Sequence, residues 1–95
     1  MPAFLIVHST ITDPARFQQY VSASEDSLAQ FGGRYLLGGT AVEVLEGHHD
    51  KARTVIFQFP SEEHVRNWYS SPEYKKVKSM RDDTGAFDFV VVDSF

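Results

Sequence analysis

The chain has 95 residues, 42% of them hydrophobic, no cysteine and a formal net charge of −4. That length holds one core and so one domain, residues 1–95, and that apolar content excludes disorder. The acidic balance with scattered basic residues excludes a nucleic-acid groove, and without cysteine there is neither a disulfide nor thiol chemistry.

Met1-Pro2-Ala3-Phe4 leads straight into an apolar run, without the basic start and long apolar core of a signal peptide. No apolar run approaches the ~20 residues that span a bilayer, so no membrane partner and a cytoplasmic location are expected. Ala3 to Ile11 reads as a strand, apolar on both faces through Phe4-Leu5-Ile6-Val7 and therefore covered on both sides. Asp13-Pro14 is a helix start, with Asp as N-cap and Pro at the first helical position. Phe17, Tyr20, Val21, Ser24, Leu28 and Phe31 follow at steps of three and four and make one buried face. Gly32-Gly33 ends the helix, since glycine takes the left-handed backbone of a C-cap without steric cost. Arg34 to Leu37 and Ala41 to Glu46 form a second strand, bent or bulged at Gly38-Gly39. Gly47 to Lys51 is a polar turn. Arg53 to Phe59 returns as a third strand, again apolar on both faces at Val55-Ile56-Phe57. Ser61 caps a second helix with Glu62 and Glu63 at its positive end, and Val65, Trp68 and Tyr69 form its buried face. Ser71-Pro72-Glu73 repeats the start signal, so a short third helix runs from Pro72 to about Met80. Phe87 to Val92 is the last strand.

The order β-α-β-β-α-β describes an α+β, ferredoxin-like fold with a four-stranded antiparallel sheet. Strands one and three are the most apolar and occupy its centre. Helices cover one face of such a sheet, and a second copy is the simplest cover for the other. Eight Phe, four Tyr and one Trp are a heavy aromatic load for a chain that buries only ~65% of its unfolded surface. A homodimer interface would absorb the surplus.

Candidate chemistry centres on the second helix. His64 and Trp68 are four apart on one helix face and Tyr74 follows the break at Pro72. This suits a pocket between helix and sheet, with Trp68 and Tyr69 as walls and His64 or Tyr74 as the proton-transfer group. The competing reading is that Trp68 and Tyr69 fill the core while His64 faces water. His8 interrupts an apolar strand on the face of Phe4 and Ile6, as a ligand contact or as a hydrogen-bonded histidine at an interface. Arg34 and Arg81 could each clamp a carboxylate, or pair with acids such as Glu43, Glu46 or Asp82. Neighbouring imidazoles rarely bind one ion, so His48-His49-Asp50 reads as a solvated hairpin tip and no metal site is expected. Gly32-Gly33 run from helix into strand, the reverse of a phosphate loop. No Gly-x-Ser-x-Gly elbow anchors a hydrolase triad.

Several motifs together resemble one family. They are Thr12-Asp13-Pro14, Phe31-Gly32-Gly33-Arg34-Tyr35-Leu36, Gly38-Gly39 and Glu43-Val44-Leu45-Glu46-Gly47, then Phe59-Pro60-Ser61, Trp68-Tyr69-Ser70-Ser71-Pro72-Glu73-Tyr74 and Arg81. Nearly end to end, the chain resembles the small bacterial proteins of the domain-of-unknown-function 1330 family, in the dimeric α/β-barrel superfamily. That resemblance implies a homodimer whose two sheets close a barrel, and it implies no reaction. Many members read Glu-Phe-Pro where this chain has Gln58-Phe59-Pro60, which removes a carboxylate. The superfamily also includes cofactor-free monooxygenases acting on polycyclic phenols. His64, Trp68 and Tyr74 resemble their arrangement, with His64 in place of an Asn found in some of them. The expected function is binding of a small organic carboxylate or phenol, without a cofactor. Any chemistry there would be cofactor-independent oxidation or isomerisation. The alternative is a non-catalytic structural dimer whose aromatics serve only core and interface.

Overall fold

The computed structural model describes residues 1–95. In chain order it contains β1 (Ala3–Ile11), α1 (Pro14–Gln30), β2 (Arg34–Thr40), β3 (Arg53–Phe59), α2 (Glu62–Ser70), α3 (Pro72–Lys78), a 3₁₀ turn (Ser79–Arg81) and β4 (Gly85–Asp93). The strands form one antiparallel sheet in the order β2-β3-β1-β4, so the two most apolar strands are central. This is the ferredoxin-like α+β arrangement that the element order predicts. No helix is long and apolar enough to cross a membrane.

The helix ends follow the local chemistry. Asp13 accepts from the Arg16 backbone N–H, and Pro14 occupies the first turn. At the other end Gly32 takes φ +80°, and the Gly33 N–H bonds the Leu28 carbonyl at 2.8 Å, an oxygen that also accepts from Phe31, so the last turn closes on itself. Ser61 and Ser71 cap α2 and α3 by accepting from the His64 and Tyr74 backbone N–H groups.

Register fixes which side chains share a face. Leu5 pairs with Phe57 and Val91, and Val7 pairs with Val55 and Phe89. These point toward the helices, with Leu5, Val7 and Val55 buried. Phe4, Ile6 and His8 point the other way, beside Gln58, Ile56 and Thr54 of β3 and Val92, Val90 and Asp88 of β4. No helix covers this second face, and Val90 and Val92 are 46% and 39% exposed.

Three expectations need correction. The irregularity in β2 falls between Tyr35 and Leu37, while Gly38 and Gly39 pair regularly with Val55 and Thr54. The extra residue is Leu36, and it lets Tyr35 face the helices and Leu37 the open side. Ala41 to Glu46 is not a strand, despite its alternating valines. Beyond Thr40 there is no strand of this chain left to pair with, and Val42 and Leu45 stand 96% and 84% exposed. Tyr69 is also half-exposed and not part of a buried stripe, because Val65 and Trp68 alone take the inner face of α2.

The two glycine pairs should respond differently to alanine. Gly32→Ala places a Cβ in the left-handed region and within 2.9 Å of the Pro60 ring, so urea unfolding should show a loss of roughly 1–2 kcal/mol. Gly39 meets nothing within 4 Å, and Gly39→Ala should leave stability equal or higher by about 0.5 kcal/mol.

Candidate functional site

The face of α1 that turns inward carries serines where a tightly packed helix would carry leucines. Ser24 donates to the Val21 carbonyl and Ser27 to the Ser24 carbonyl. The backbone of α1 packs chiefly on α3 and the 3₁₀ turn, and barely approaches the strands. Small side chains on a helix held off the sheet leave a gap, and that gap is a cavity of about 370 Å³. Leu5, Val7, Val55 and Phe57 form its floor, and Phe17, Tyr20, Val21, Ser24 and Leu28 its roof. Trp68, Phe87 and Phe89 close one side, and Glu25, Arg34, Tyr35 and Arg53 also border it. Arg53 lies 4.9 Å above the Phe17 ring, and neither it nor Arg34 is ion-paired.

Behind the Trp68 wall is a buried aromatic and polar cluster. The Trp68 and Tyr74 ring centroids are 4.1 Å apart, and the indole N–H donates to Ser27 Oγ at 3.1 Å. Tyr74 is wholly buried, with its hydroxyl 2.8 Å from that of Tyr20. Arg81 Nε donates to Tyr74 Oη at 3.4 Å, and its guanidinium lies 4.5 Å from the Phe89 ring centre and 5.1 Å from that of Phe87. Burial, reinforced by Tyr74, pushes the Tyr20 hydroxyl far above the ordinary tyrosine range. Lys78, 4.5 Å over the Tyr69 ring, lowers the Tyr69 phenol by hydrogen bonding, against a smaller opposing effect of burial.

The residues expected to form a site are divided by the fold. Trp68 lines the cavity, and Arg34 borders it. Tyr74 and Arg81 sit behind the wall and reach the cavity through Tyr20 and the two phenylalanines. Tyr69 lies in a separate groove of about 330 Å³ between α2 and β4. His64 is exposed, with Nδ1 2.7 Å from Ser61 Oγ, so its ring folds back onto the cap of its own helix. His8 is on the open face, bonded to Thr54 Oγ1 at 2.8 Å. The His49 ring meets it edge-on at 4.7 Å, and Lys51 reaches across to Asp88 at 3.0 Å. The hairpin tip is thus exposed in its histidines and Asp50, yet folded against β1 and β4. Sequence reasoning placed Tyr20 and Ser24 on the buried helix face without marking them as cavity residues, and it passed over Arg53. The available signal was the small side chains of Ser24 and Ser27 within an otherwise large apolar stripe.

The sequence profile of the family described as Domain of unknown function (DUF1330) matches residues 2–95. The chain belongs to the DUF1330 family. No curated protein sequence matches it. Among solved structures, this DUF1330 chain is similar to a protein of unknown function from Rhodopseudomonas palustris, with TM-score 0.82, 14% identity, and 99% and 82% of the two chains covered. It is similar to SnoaB, a cofactor-independent oxygenase from Streptomyces nogalater, with TM-score 0.70, 12% identity, and 99% and 93% covered. A dimeric ferredoxin-like protein of unknown function from Thermobifida fusca gives TM-score 0.65, 16% identity, and 99% and 92% covered. Identities this low establish the shared fold alone.

Burial of Tyr20 gives a pH dependence of definite sign. Its raised ionisation means the folded state holds the phenolic proton more tightly than the unfolded chain. This stabilisation is fully present below the unfolded tyrosine value of about 10 and is lost as pH rises beyond it. Urea midpoints measured across that range should fall steeply in the parent and less so in Tyr20→Phe.

Proposed function

We propose that this DUF1330 chain acts as a homodimer that binds a small, largely apolar organic molecule in the cavity between α1 and the sheet. The observation that carries this reading is the cavity itself: about 370 Å³ of space that the chain's many aromatic residues surround but do not fill. An engineered apolar cavity of ~150 Å³ holds benzene, so this volume suits a molecule of two or three fused rings. Trp68 and the phenylalanines supply flat walls, and the arginines at the border favour a ligand with an acidic group. Such a chamber asks little of the protein beyond shape and proton handling, which is what cofactor-independent oxidation or isomerisation requires. The description of the Streptomyces nogalater neighbour as a cofactor-independent oxygenase supports that reaction class.

The dimer is argued from the sheet. Phe4, Ile6, Ile56, Val90, Val92 and Leu37 share the face that no helix covers, and the Thermobifida fusca neighbour with this fold is called dimeric. A self-complementary apolar face is what a two-fold partner would bury.

Trp68 is the single tryptophan and borders the cavity, so its fluorescence reports on occupancy. Naphthalene should perturb that emission saturably, and Ser24→Leu, which fills the roof, should weaken binding about tenfold or more. Unaltered emission at the solubility limit of naphthalene would sink the pocket reading. Light scattering at micromolar concentration should give twice the chain mass, and Ile6→Asp should give one chain mass. A monomeric parent would remove the dimer.

A further inference from the structure

Beyond Thr40 the chain keeps the alternation of a strand and loses its hydrogen bonds. The Ala41 N–H still reaches the Ala52 carbonyl, but no backbone bond involves residues 42–46. Val42 and Leu45 stand 96% and 84% exposed. The segment has the composition of a strand and the surroundings of a loop.

The opposite edge of the sheet has the complementary defect. β4 is an edge strand of nine residues, paired with β1 in unbroken register. It holds no proline, lysine or bulge to deter another strand, and outside that pairing no backbone bond involves residues 86–93. Beside it, Val65, Tyr69, Phe89 and Val91 line the second groove. Lys78 and Arg81 stand over the Tyr69 and Phe89 rings with no carboxylate in ion-pairing distance. Glu43 and Glu46 are exposed and equally unpaired.

One chain cannot join these two edges, because β3 and β1 lie between them. A second copy can. A two-fold axis that runs along the strands, between two open faces, reverses the strand order of the second sheet. β2 of one protomer then lies opposite β4 of the other. β2 runs parallel to β1 and β4 antiparallel to it, so the two edges meet antiparallel. The chain beyond β2 is also held on the correct side. The His49 ring against His8 and the Lys51 bridge to Asp88 keep the hairpin tip on the open face, where the second copy sits.

We propose that residues 41–46 form an intersubunit arm, which pairs as a strand with the free edge of the partner's β4. This rests on the dimer proposed above. Gly38 pairs with the inward-facing Val55, so continued alternation puts Val42, Val44 and Glu46 on the helix side. There the apolar groove beside the partner's β4 receives the valines, and its two cations face the glutamate. The exchange is reciprocal under the two-fold, so neither edge remains to recruit a third chain. The groove between α2 and β4 is thereby a docking site for a second copy of this chain, distinct from the ligand cavity under α1.

The test follows the full-length protein by light scattering and by hydrogen exchange read amide by amide. The amides of residues 42–46, and alternate amides of β4, should slow about tenfold or more as concentration rises through the dimerisation midpoint. In Ile6→Asp, which is expected to be monomeric, both sets should exchange freely. Val44→Pro removes a ladder N–H and Val42→Asp puts a charge into the groove. Each should raise the dimer dissociation constant about tenfold or more. Neither should change urea unfolding of the monomer, since neither position is buried within one chain. A monomeric parent would remove the dimer and the arm with it. A dimer whose 42–46 amides exchange freely, and which both arm variants leave intact, would stand on the open face alone and overturn the arm. Slow exchange that persists in the monomer would place the arm's partner in its own chain, which also overturns the proposal. If Ile6→Asp fails to fold, dilution of the parent supplies the monomer.

Discussion

Two hydrogen bonds set the spacing on which this architecture depends: Trp68 to Ser27, and Tyr74 to Tyr20. Both run from the α2–α3 segment to α1, not from a helix to the sheet. They tie α1 to its helical neighbour by groups that cannot be buried unpaired without cost. A purely apolar contact would let α1 settle onto Val7 and Val55, as close packing favours. The polar ties instead fix it at a distance, and the gap persists because closing it would break bonds that nothing else replaces. The aromatic content that looks excessive for this length is spent around that gap.

Most of the fold was legible in the sequence because each boundary has a local chemical cause. Asp13-Pro14, Gly32-Gly33, Ser61 and Ser71 all act where their types predict. The central strands were recognisable from their two-sided apolar runs. What failed is non-local. Ala41 to Glu46 has the alternation of a strand, but a strand also needs a neighbour, and the sheet of a single chain has none to offer there. The bulge at Leu36 carries no glycine to announce it, since the position is set by which of Tyr35 and Leu37 must face the helices.

The site was legible only in part, and for a related reason. Trp68 is placed by its helical period. His64 shares that period, yet its ring is captured by the hydroxyl that caps its own helix. Local hydrogen bonding won over the stripe. Tyr20 is bonded to a residue more than fifty positions away, a tie that no pattern in α1 could reveal.

Ser24 has a consequence for how such proteins diverge. Its hydroxyl is satisfied within its own turn of helix, unlike Ser27, on which the indole depends. Exchanging Ser24 therefore orphans no partner elsewhere and alters mainly the headroom of the chamber. A lineage carrying this scaffold can enlarge or shrink that chamber by single steps at that position, while the ties that hold α1 aloft stay untouched. Such an arrangement lets the chamber vary while the fold stays one.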